Sequence, residues 1–225
     1  MILTASVRRT YYCRHLNGWA VDVDFEIPDR IKDGYGINES IIEQAHADGV
    51  EVILTCDNGI SAFHQVELAK KYGMTVVITD HHEVPLDGEK EKIPPADAVI
   101  DPKQADCPYP FPEICGAVVA YKLVQVLYAR RGVPQMEWLD LLEFAAIATV
   151  GDVMKLQDEN RILVKYGLKK MAQTKNLGLR RLAEKIILIW GDHSIPYRIC
   201  HWTVPECGRT IKNGKGSAGA SAGAE

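Results

Sequence analysis

The 225-residue sequence lacks three features that would each have indicated a class of protein. Its six cysteines form no Cys-x-x-Cys pair and no zinc-type spacing, and a chain of this length needs no disulfide framework. Its longest apolar stretch, around LLEFAAIATV, is far shorter than the ~20 residues that cross a bilayer. The net charge of −4 provides no basic surface of the kind that simple nucleic-acid-binding domains carry. We therefore expect a soluble, cytoplasmic protein with reduced cysteines.

The weak charge still leaves nucleic acid open as a substrate, because bound divalent cations can supply the missing positive charge. The composition fits a globular chain, since 47% of the residues are hydrophobic and can bury a sizeable core. The length allows one large domain or two small ones.

The first half of the chain alternates between short apolar runs and amphipathic segments. The runs AVDVDFEI, VEVILT, MTVVIT and ADAVI read as strands, and residues Asn38 to Asp48 and Ala62 to Tyr72 read as helices. Gly49 and Gly73 each end a helix before the next strand. This order predicts βαβ units, and hence an α/β fold with a parallel sheet and helices on both faces.

After Pro112 the hydrophobic pattern indicates helices only, and after Asp192 it shows neither helical nor strand periodicity. The predicted helical segments are GAVVAYKLVQVLYARRG, MEWLDLLEFAAIATVGDV, ENRILVKYGLKKMAQT and LGLRRLAEKIILIW. The last residues form a Gly/Ala/Ser run typical of a flexible tail. We expect one domain over residues 1–192 and a tail over residues 193–225.

Acidic residues end three of the predicted strands, at Asp57, Asp80 and Asp101. In open α/β sheets ligands bind outside the carboxyl ends of the strands, so these side chains project toward one crevice. Any one of them could instead begin a turn or cap a helix. His81 and His82 directly follow the second acid, and imidazole together with carboxylate suits Mn²⁺ or a similar divalent ion.

Adjacent side chains point in different directions, so we expect only one of His81 and His82 to bind a metal. The other would face a substrate phosphate or serve as a capping or surface histidine. A further carboxylate is Asp152, which follows an Ala/Val-rich helix at Gly151. An acid at a helix C-terminus is unfavourable against the helix dipole and would be stabilised by a cation.

The segments TCDNGIS, TDHH, CGAVVAYKL and IATVGDVMKLQDENRILVKYGL, in this order and spacing, resemble the DHH phosphoesterase superfamily. IPDRIKDGYGIN is similar to its RecJ branch of single-stranded-DNA-specific exonucleases. The resemblance covers roughly Ala20 to Trp190. It implies a monomeric enzyme of DNA repair and recombination that uses two Mn²⁺ or Mg²⁺ ions to trim single-stranded DNA from the 5′ end.

The resemblance also implies roles for individual residues, each at a position that matches a family motif. The implied metal ligands are Asp57, His81 and Asp152, the implied catalytic residues are Asp80 and His82, and the implied substrate-binding residues are Arg30, Tyr35 and Arg161. For Arg161 a structural salt bridge is an equally good interpretation. Asn160 matches a family position as well.

The sequence departs from the family pattern at its beginning. The family's first motif, Asp-x-Asp-Gly at the end of the first strand, should stand just before ILTASV, where this chain has Met1. MILTASV is similar to the helix start that follows this motif. We therefore expect the first strand and its two aspartates to be missing, with at most one weakly held ion and little or no catalysis. The AVDVDFEI strand would then lie beside an unpaired sheet edge.

The second departure lies after Asp192. The RecJ branch continues with a Gly-Pro-x-x-Asn-Ala-x-Gly-Arg-Leu segment and a second domain, whereas this chain reads YRICHWTVPECGRTIKNGKGS. Codons can be chosen for this stretch so that a one-base shift spells the family segment. We therefore expect a frameshift between about Asp192 and Tyr197, the alternative being a divergent, disordered tail.

Two other functions remain open from the sequence. The chain could be a pyrophosphatase or a cyclic-dinucleotide phosphodiesterase on the same scaffold, although the segments IPDRIKDGYGIN and ENRILVKYGL favour the exonuclease. It could also be a DHH remnant that binds a metal or a partner and hydrolyses nothing.

Overall fold

Parallel strands form the centre of the protein in a computed structural model that describes residues 2–4, 23–26 and 36–181. The strands, in chain order, are β1 (Ile2–Thr4), β2 (Val52–Thr55), β3 (Thr75–Thr79), β4 (Leu86–Asp87), β5 (Lys90–Glu91) and β6 (Ala98–Ile100). The main sheet has the order β1-β2-β3-β6 and every pairing in it is parallel. The strands β4 and β5 form a separate antiparallel pair.

Helices connect and follow these strands. They are α1 (Glu39–Ala47), α2 (Phe63–Lys71), α3 (Gly116–Arg130), α4 (Gln135–Leu139), α5 (Leu142–Gly151) and α6 (Asp158–Met171). Residues 177–181 begin a further helix, in which Leu179 N donates to Asn176 Oδ1 at 3.0 Å. No helix within the described ranges is both long and apolar enough to span a membrane.

Local sequence signals account for the ends of the first two helices. Asn38 caps α1, because its side chain accepts a hydrogen bond from Ile41 N at 2.9 Å. Gly49 and Gly73 follow α1 and α2 with φ of +73° and +77°, which glycine adopts without a steric penalty. The boundaries predicted from the sequence therefore agree with the structure to within a residue or two.

Alternate residues of the central strands face two different cores, so that the sheet is covered on both sides. Ile53 of β2 and Val76 of β3 pack with the buried side chains of α1 and α2. Leu54 and Val77, the next residue of each strand, pack against the opposite core, to which α3, α5 and α6 contribute most. The predicted α/β fold, with helices on both faces and a helical segment after the sheet, is thereby confirmed.

The N-terminal part of the sheet differs from the expectation. Residues Ile2–Thr4 form a strand and not the start of a helix, and Thr4 pairs with Thr55 of β2. An open edge on β2 would leave its N–H and C=O groups unpaired, and this short apolar run satisfies them. Of the predicted strand AVDVDFEI, residues 23–26 are described, and they contain only an isolated bridge at Glu26.

Two details of the middle of the chain were also missed by the sequence analysis. The segment from Met136 to Val153 is divided into α4 and α5, with a break at Asp140 and Leu141. The strands β4 and β5 form an antiparallel hairpin whose turn contains Gly88 with a φ of +65°. The dipeptide Asp87-Gly88 is a sequence signal for such a turn. The predicted tail of residues 193–225, together with its frameshift, lies outside the described residues.

Candidate metal centre

The loop after β2 turns sharply and projects Asp57 beyond the end of the sheet. Asp57 has a φ of +67°, and its backbone N–H donates to Thr79 O of β3 at 2.8 Å. Gly59 has a φ of +117°, and a Cβ at this position would lie 2.9 Å from Thr55 Oγ1. The sequence Cys-Asp-Asn-Gly therefore forms a tight turn that only a glycine at its fourth position permits.

Two buried threonines fix the register of β2 and β3 immediately below this loop. Thr79 Oγ1 donates to Thr55 O at 2.7 Å, and Thr79 N donates to Thr55 Oγ1 at 3.3 Å. Both side chains are fully buried. The acids that follow the two strands are therefore held at a fixed separation.

Asp80 faces inward, and both of its carboxylate oxygens are hydrogen-bonded. Oδ1 accepts from His81 N at 2.8 Å and lies 2.6 Å from His82 Nδ1, while Oδ2 accepts from Ile60 N at 3.0 Å. The side chain is only 1% exposed. Burial by itself would raise the pKa of Asp80, but the hydrogen bonds from His82 and Ile60 outweigh it and hold the pKa below its usual value.

The side chains of Asp57, His81 and His82 converge above Asp80. His81 Nε2 lies 2.8 Å from Asp57 Oδ1, and each of these two side chains is 13% exposed. One potential ligand atom from each of the three residues lies within 4.8 Å of those of the other two. Nδ1 of His82 is directed at Asp80, so Nε2 lies on the side of the ring away from that carboxylate, and this side chain is 44% exposed.

The N-terminus of α3 lies directly against Asp57. A Cβ on Gly116, the first residue of α3, would overlap Asp57 Oδ1 and lie 2.8 Å from Asp57 Cβ. Only glycine therefore allows this approach. The positive end of the α3 dipole therefore lies beside this carboxylate.

Asp101 lies beside Asp80 at the end of β6. Asp80 N donates to Ile100 O at 3.0 Å, which aligns the two strand ends. Asp101 is 2% exposed, and its Oδ1 accepts from Lys103 N at 2.9 Å. Oδ2 is buried and has no hydrogen-bond partner in the described part of the chain. Burial, and secondarily the charge of Asp80, raises the pKa of Asp101, although the Lys103 N–H opposes this.

The remaining predicted site residues are not all brought to this cluster. Asp152 is the exposed C-terminal cap of α5 and is not among the three residues whose ligand atoms converge. Arg161 is exposed in the first part of α6 and makes no ion pair with another residue in the described ranges. Arg30 and Tyr35 lie outside the described residues.

Asn160, by contrast, is fully buried and connects two segments near the site. Its Nδ2 donates to Glu113 O at 2.6 Å and to Lys155 O at 3.0 Å. It thereby joins the start of α6 to the segment that leads into α3.

The donor set fits a divalent transition metal. Imidazole nitrogen together with carboxylate oxygen suits Mn²⁺, whereas Mg²⁺ and Ca²⁺ prefer oxygen ligands alone. The separation of 2.8 Å between His81 Nε2 and Asp57 Oδ1 allows both atoms to contact a single ion after a small adjustment. The two side chains are only slightly exposed, which limits competition from water.

Comparison with known families identifies the family of this chain. A sequence profile described as the DHH family, N-terminal domain, matches residues 3–149. The chain belongs to the DHH family. Among its curated relatives, the single-stranded-DNA-specific exonuclease RecJ of Bacillus subtilis is 41% identical over 163 residues, or 72% of this chain and 19% of the relative. RecJ of Escherichia coli is 35% identical over 173 residues, or 72% of this chain and 29% of the relative.

Solved structures of exonuclease RecJ have a similar fold. A crystal structure of exonuclease RecJ bound to manganese superposes with a TM-score of 0.72 and 28% identity, covering 89% of this chain and 51% of that one. RecJ of Thermus thermophilus in complex with Mn²⁺ superposes with a TM-score of 0.65 at 22% identity and supports the fold. The DHH chain described here thus spans less than a third of the length of the curated relatives cited.

Several residues that shape the DHH site were not identified as functional from the sequence. Gly116 lies in the family-like segment CGAVVAYKL, but its role depends on a contact with Asp57 that only the fold creates. The backbone of Ile60, which holds Asp80, has no side-chain signal at all. The threonines Thr55 and Thr79 looked like ordinary strand residues.

Proposed function

We propose that this chain is the metal-binding part of a RecJ-like exonuclease that hydrolyses single-stranded DNA from its 5′ end in DNA repair and recombination. The convergence of Asp57, His81 and His82 at the ends of parallel strands in a DHH-family chain supports this proposal. The relatives, which are single-stranded-DNA-specific exonucleases, supply the substrate class. We further propose that it acts in the cytoplasm as a monomer, with residues 1–192 as the partial catalytic domain and residues 193–225 as a tail without function.

Each residue of the cluster has a distinct proposed role. Asp57 and His81 hold the cation, and Asp152 at the C-terminus of α5 is proposed as a further ligand. His82 presents Nε2 to a substrate phosphate, because its Nδ1 is anchored on Asp80. Asp80 contributes to catalysis by orienting both histidines, since its two oxygens are already hydrogen-bonded inside the protein. Arg30, Tyr35 and Arg161 are proposed to contact the DNA strand.

Mn²⁺ or Mg²⁺ bound by these residues would supply charge stabilisation at phosphorus and an activated water. The family chemistry uses a pair of ions, and the second needs further carboxylates. Residues 1–21 of this chain contain no acidic residue. Within the described residues one cluster, that of Asp57, His81 and His82, could hold an ion, and we expect weak metal binding and little hydrolysis by the 225-residue chain alone.

A second candidate function is a metal-binding DHH domain without catalysis. The position of β1 favours it, because Ile2–Thr4 occupies the place beside β2 and brings no carboxylate to that strand end. A chain that fills this place with an acid-free strand would bind one ion and leave phosphodiesters intact.

An extension experiment distinguishes the two functions. One protein is the 225-residue chain, and the other carries an added apolar strand and an Asp-x-Asp-Gly motif before Ile2, designed so that the added strand takes the place of Ile2–Thr4 beside β2. Calorimetry measures the Mn²⁺ stoichiometry of both, and gel assays follow single-stranded DNA labelled at either end. For the nuclease we expect one weakly bound ion in the first protein, and two ions with degradation from the 5′ end in the second.

Matched controls define the other outcomes. Asp57→Asn in the extended chain should abolish degradation, and persistent cleavage would indicate a contaminating nuclease. An extended chain that binds two ions and cleaves no DNA would overturn the exonuclease proposal and leave the non-catalytic domain. Pyrophosphate and cyclic dinucleotides, assayed beside the DNA, test the other DHH activities. Light scattering after size-exclusion chromatography tests the monomer.

A further inference from the structure

Asp101 is a buried carboxylate at the edge of the metal centre that the proposed roles do not use. It is 2% exposed, yet only one of its oxygens is satisfied, by Lys103 N. Oδ2 has no hydrogen-bond partner in the described ranges. A buried acceptor without a partner is costly, and in native structures it requires an explanation. A hydrogen-bond donor to Asp101 Oδ2 would therefore be strongly favoured.

The order of the strands defines which group can provide that donor. β3 lies between β2 and β6, so that a residue following β3 has Asp57 on one side and Asp101 on the other. His81 directs Nε2 toward Asp57 at 2.8 Å. Nδ1 belongs to the opposite part of the ring and is itself buried. Asp101 and His81 are also close enough to interact electrostatically.

Asp80 is not available for this role, although it is nearer in sequence. Its Oδ1 is occupied by His81 N and by the His82 ring, and its Oδ2 accepts from Ile60 N. The free oxygen on this side of the site belongs to Asp101.

We propose that Asp101 is a positioning residue that accepts the Nδ1–H of His81, directly or through one water, while Nε2 of His81 binds the metal. This inference rests on the metal centre of the proposed function. A carboxylate behind a metal-binding histidine fixes the tautomer and the ring orientation and makes the ligand nitrogen more basic. His81 would then be held between Asp57 and Asp101, on the two strands that flank its own.

The first experiment compares Mn²⁺ affinity by calorimetry in the 225-residue chain and three variants. Asp101→Asn keeps the shape but weakens the acceptor, and Asp101→Ala removes it. Asp106→Asn is the matched control, because it removes the same charge from an exposed position in the following loop. Loss of such a carboxylate typically lowers metal affinity 10- to 100-fold. We expect about a tenfold loss for Asp101→Asn, a larger loss for Asp101→Ala and no change for Asp106→Asn.

The second experiment observes His81 directly, and its readout on the wild-type chain does not depend on the folding of Asp101→Asn. Zn²⁺ serves as a diamagnetic probe, and ¹⁵N-resolved NMR detects the imidazole protons, with His81 assigned through a His81→Gln variant. We expect a slowly exchanging Nδ1–H in the zinc-loaded wild-type chain. In Asp101→Asn this proton should exchange faster and move upfield. A merely structural carboxylate would leave the His81 ring signals unchanged.

The outcomes separate this inference from the proposed function. If Asp101→Asn binds Mn²⁺ like the wild type, or if the wild-type Nδ1–H exchanges rapidly, Asp101 does not position His81. If the wild type binds neither ion, the proposed metal centre fails, and the His81 signals of the metal-free chain decide the inference. A change of the His81 ring signals on Asp101→Asn then supports a contact between His81 and Asp101, and unchanged signals overturn the inference. If Asp101→Asn does not fold, the wild-type NMR experiment alone decides.

Discussion

Replacing Asp80 with asparagine should destabilise the fold although the side chain keeps its shape. The carboxylate is 1% exposed and accepts hydrogen bonds on both oxygens. An amide has only one oxygen. If that oxygen keeps the contacts of His81 and His82, its NH₂ group faces Ile60 N, which is also a donor. The opposite orientation would sacrifice more contacts.

The magnitude follows from the lost contacts of Asp80. A hydrogen bond to a charged group contributes about 1.5–3 kcal/mol, and an unpaired buried donor costs about 1–3 kcal/mol. These contributions overlap, so we expect Asp80→Asn to lower the free energy of unfolding by about 2–4 kcal/mol. With a urea dependence of about 1–3 kcal/mol per molar, the unfolding midpoint should fall by roughly 0.7 M or more.

Urea titrations followed by circular dichroism and tryptophan fluorescence measure this change. Asp87→Asn is the matched control, because Asp87 carries the same charge on the exposed strand β4. Its midpoint should remain within about 0.5 M of the wild type, as expected for a surface substitution of about ±0.5 kcal/mol. An Asp80→Asn midpoint equally close to the wild type would refute the assignment of Asp80 as the buried anchor of the histidines.

Three further predictions concern other contacts of the fold. Gly116→Ala should lower Mn²⁺ affinity by at least about tenfold by displacing Asp57, even though alanine favours a helix by about 1 kcal/mol. Gly167→Ala should cost about 1–3 kcal/mol of stability, because its Cβ would lie 2.6 Å from Leu142 O in the α5–α6 contact. Asp97→Asn should remove part of the loss of stability at acidic pH. The hydrogen bond from Lys70 holds the pKa of Asp97 below its usual value of 3.8, so the ionised carboxylate stabilises the fold above pH 3.8. This stabilisation is lost as the pH falls through the lowered pKa, and the asparagine variant has none to lose.

Each of these predictions has a control and a contrary result. For Gly116→Ala the control is Val126→Ala on the exposed side of α3, and equal Mn²⁺ affinities of all three proteins would contradict the contact. For Gly167→Ala the control is Lys169→Ala, an exposed position on α6. An unchanged urea midpoint for Gly167→Ala would mean that α5 and α6 can move apart to accommodate the Cβ without a loss of stability. For Asp97→Asn it is Asp106→Asn, and identical acid-unfolding curves for wild type and Asp97→Asn would show that the ion pair contributes nothing.

The parts of the fold that local chemistry determines were predictable from the sequence. The capped helix after Asn38 and the strands β2 and β3 carry short-range signals, namely a cap, a terminal glycine and a run of β-branched residues. The parallel arrangement then placed Asp57 and Asp80 at one edge without further information. The family resemblance added the candidate ligand role of His81.

The features that were missed depend on contacts between segments distant in the chain. Residues Ile2–Thr4 pair with β2 about fifty positions away, and a three-residue run contains no signal for such a partner. The inward orientation of Asp80 depends on the backbone of Ile60 in another loop. The ligand role of Asp152 stays a prediction. Asp152 lies at the end of a separate helix, and no local sequence pattern determines how far that helix end is from the cluster.

The contact between Gly116 and Asp57 couples the position of α3 to the geometry of the proposed metal centre. The buried side chains of α3 pack in the core that also contains α5 and α6, and its first residue, Gly116, is in close contact with the carboxylate of Asp57, the proposed metal ligand. A core substitution that slides α3 by a fraction of an ångström would therefore reach the ligand as a change in its position. Mutations deep in this core should be expected to tune the metal affinity of the protein, and libraries that repack it can be screened by metal binding as well as by thermal stability.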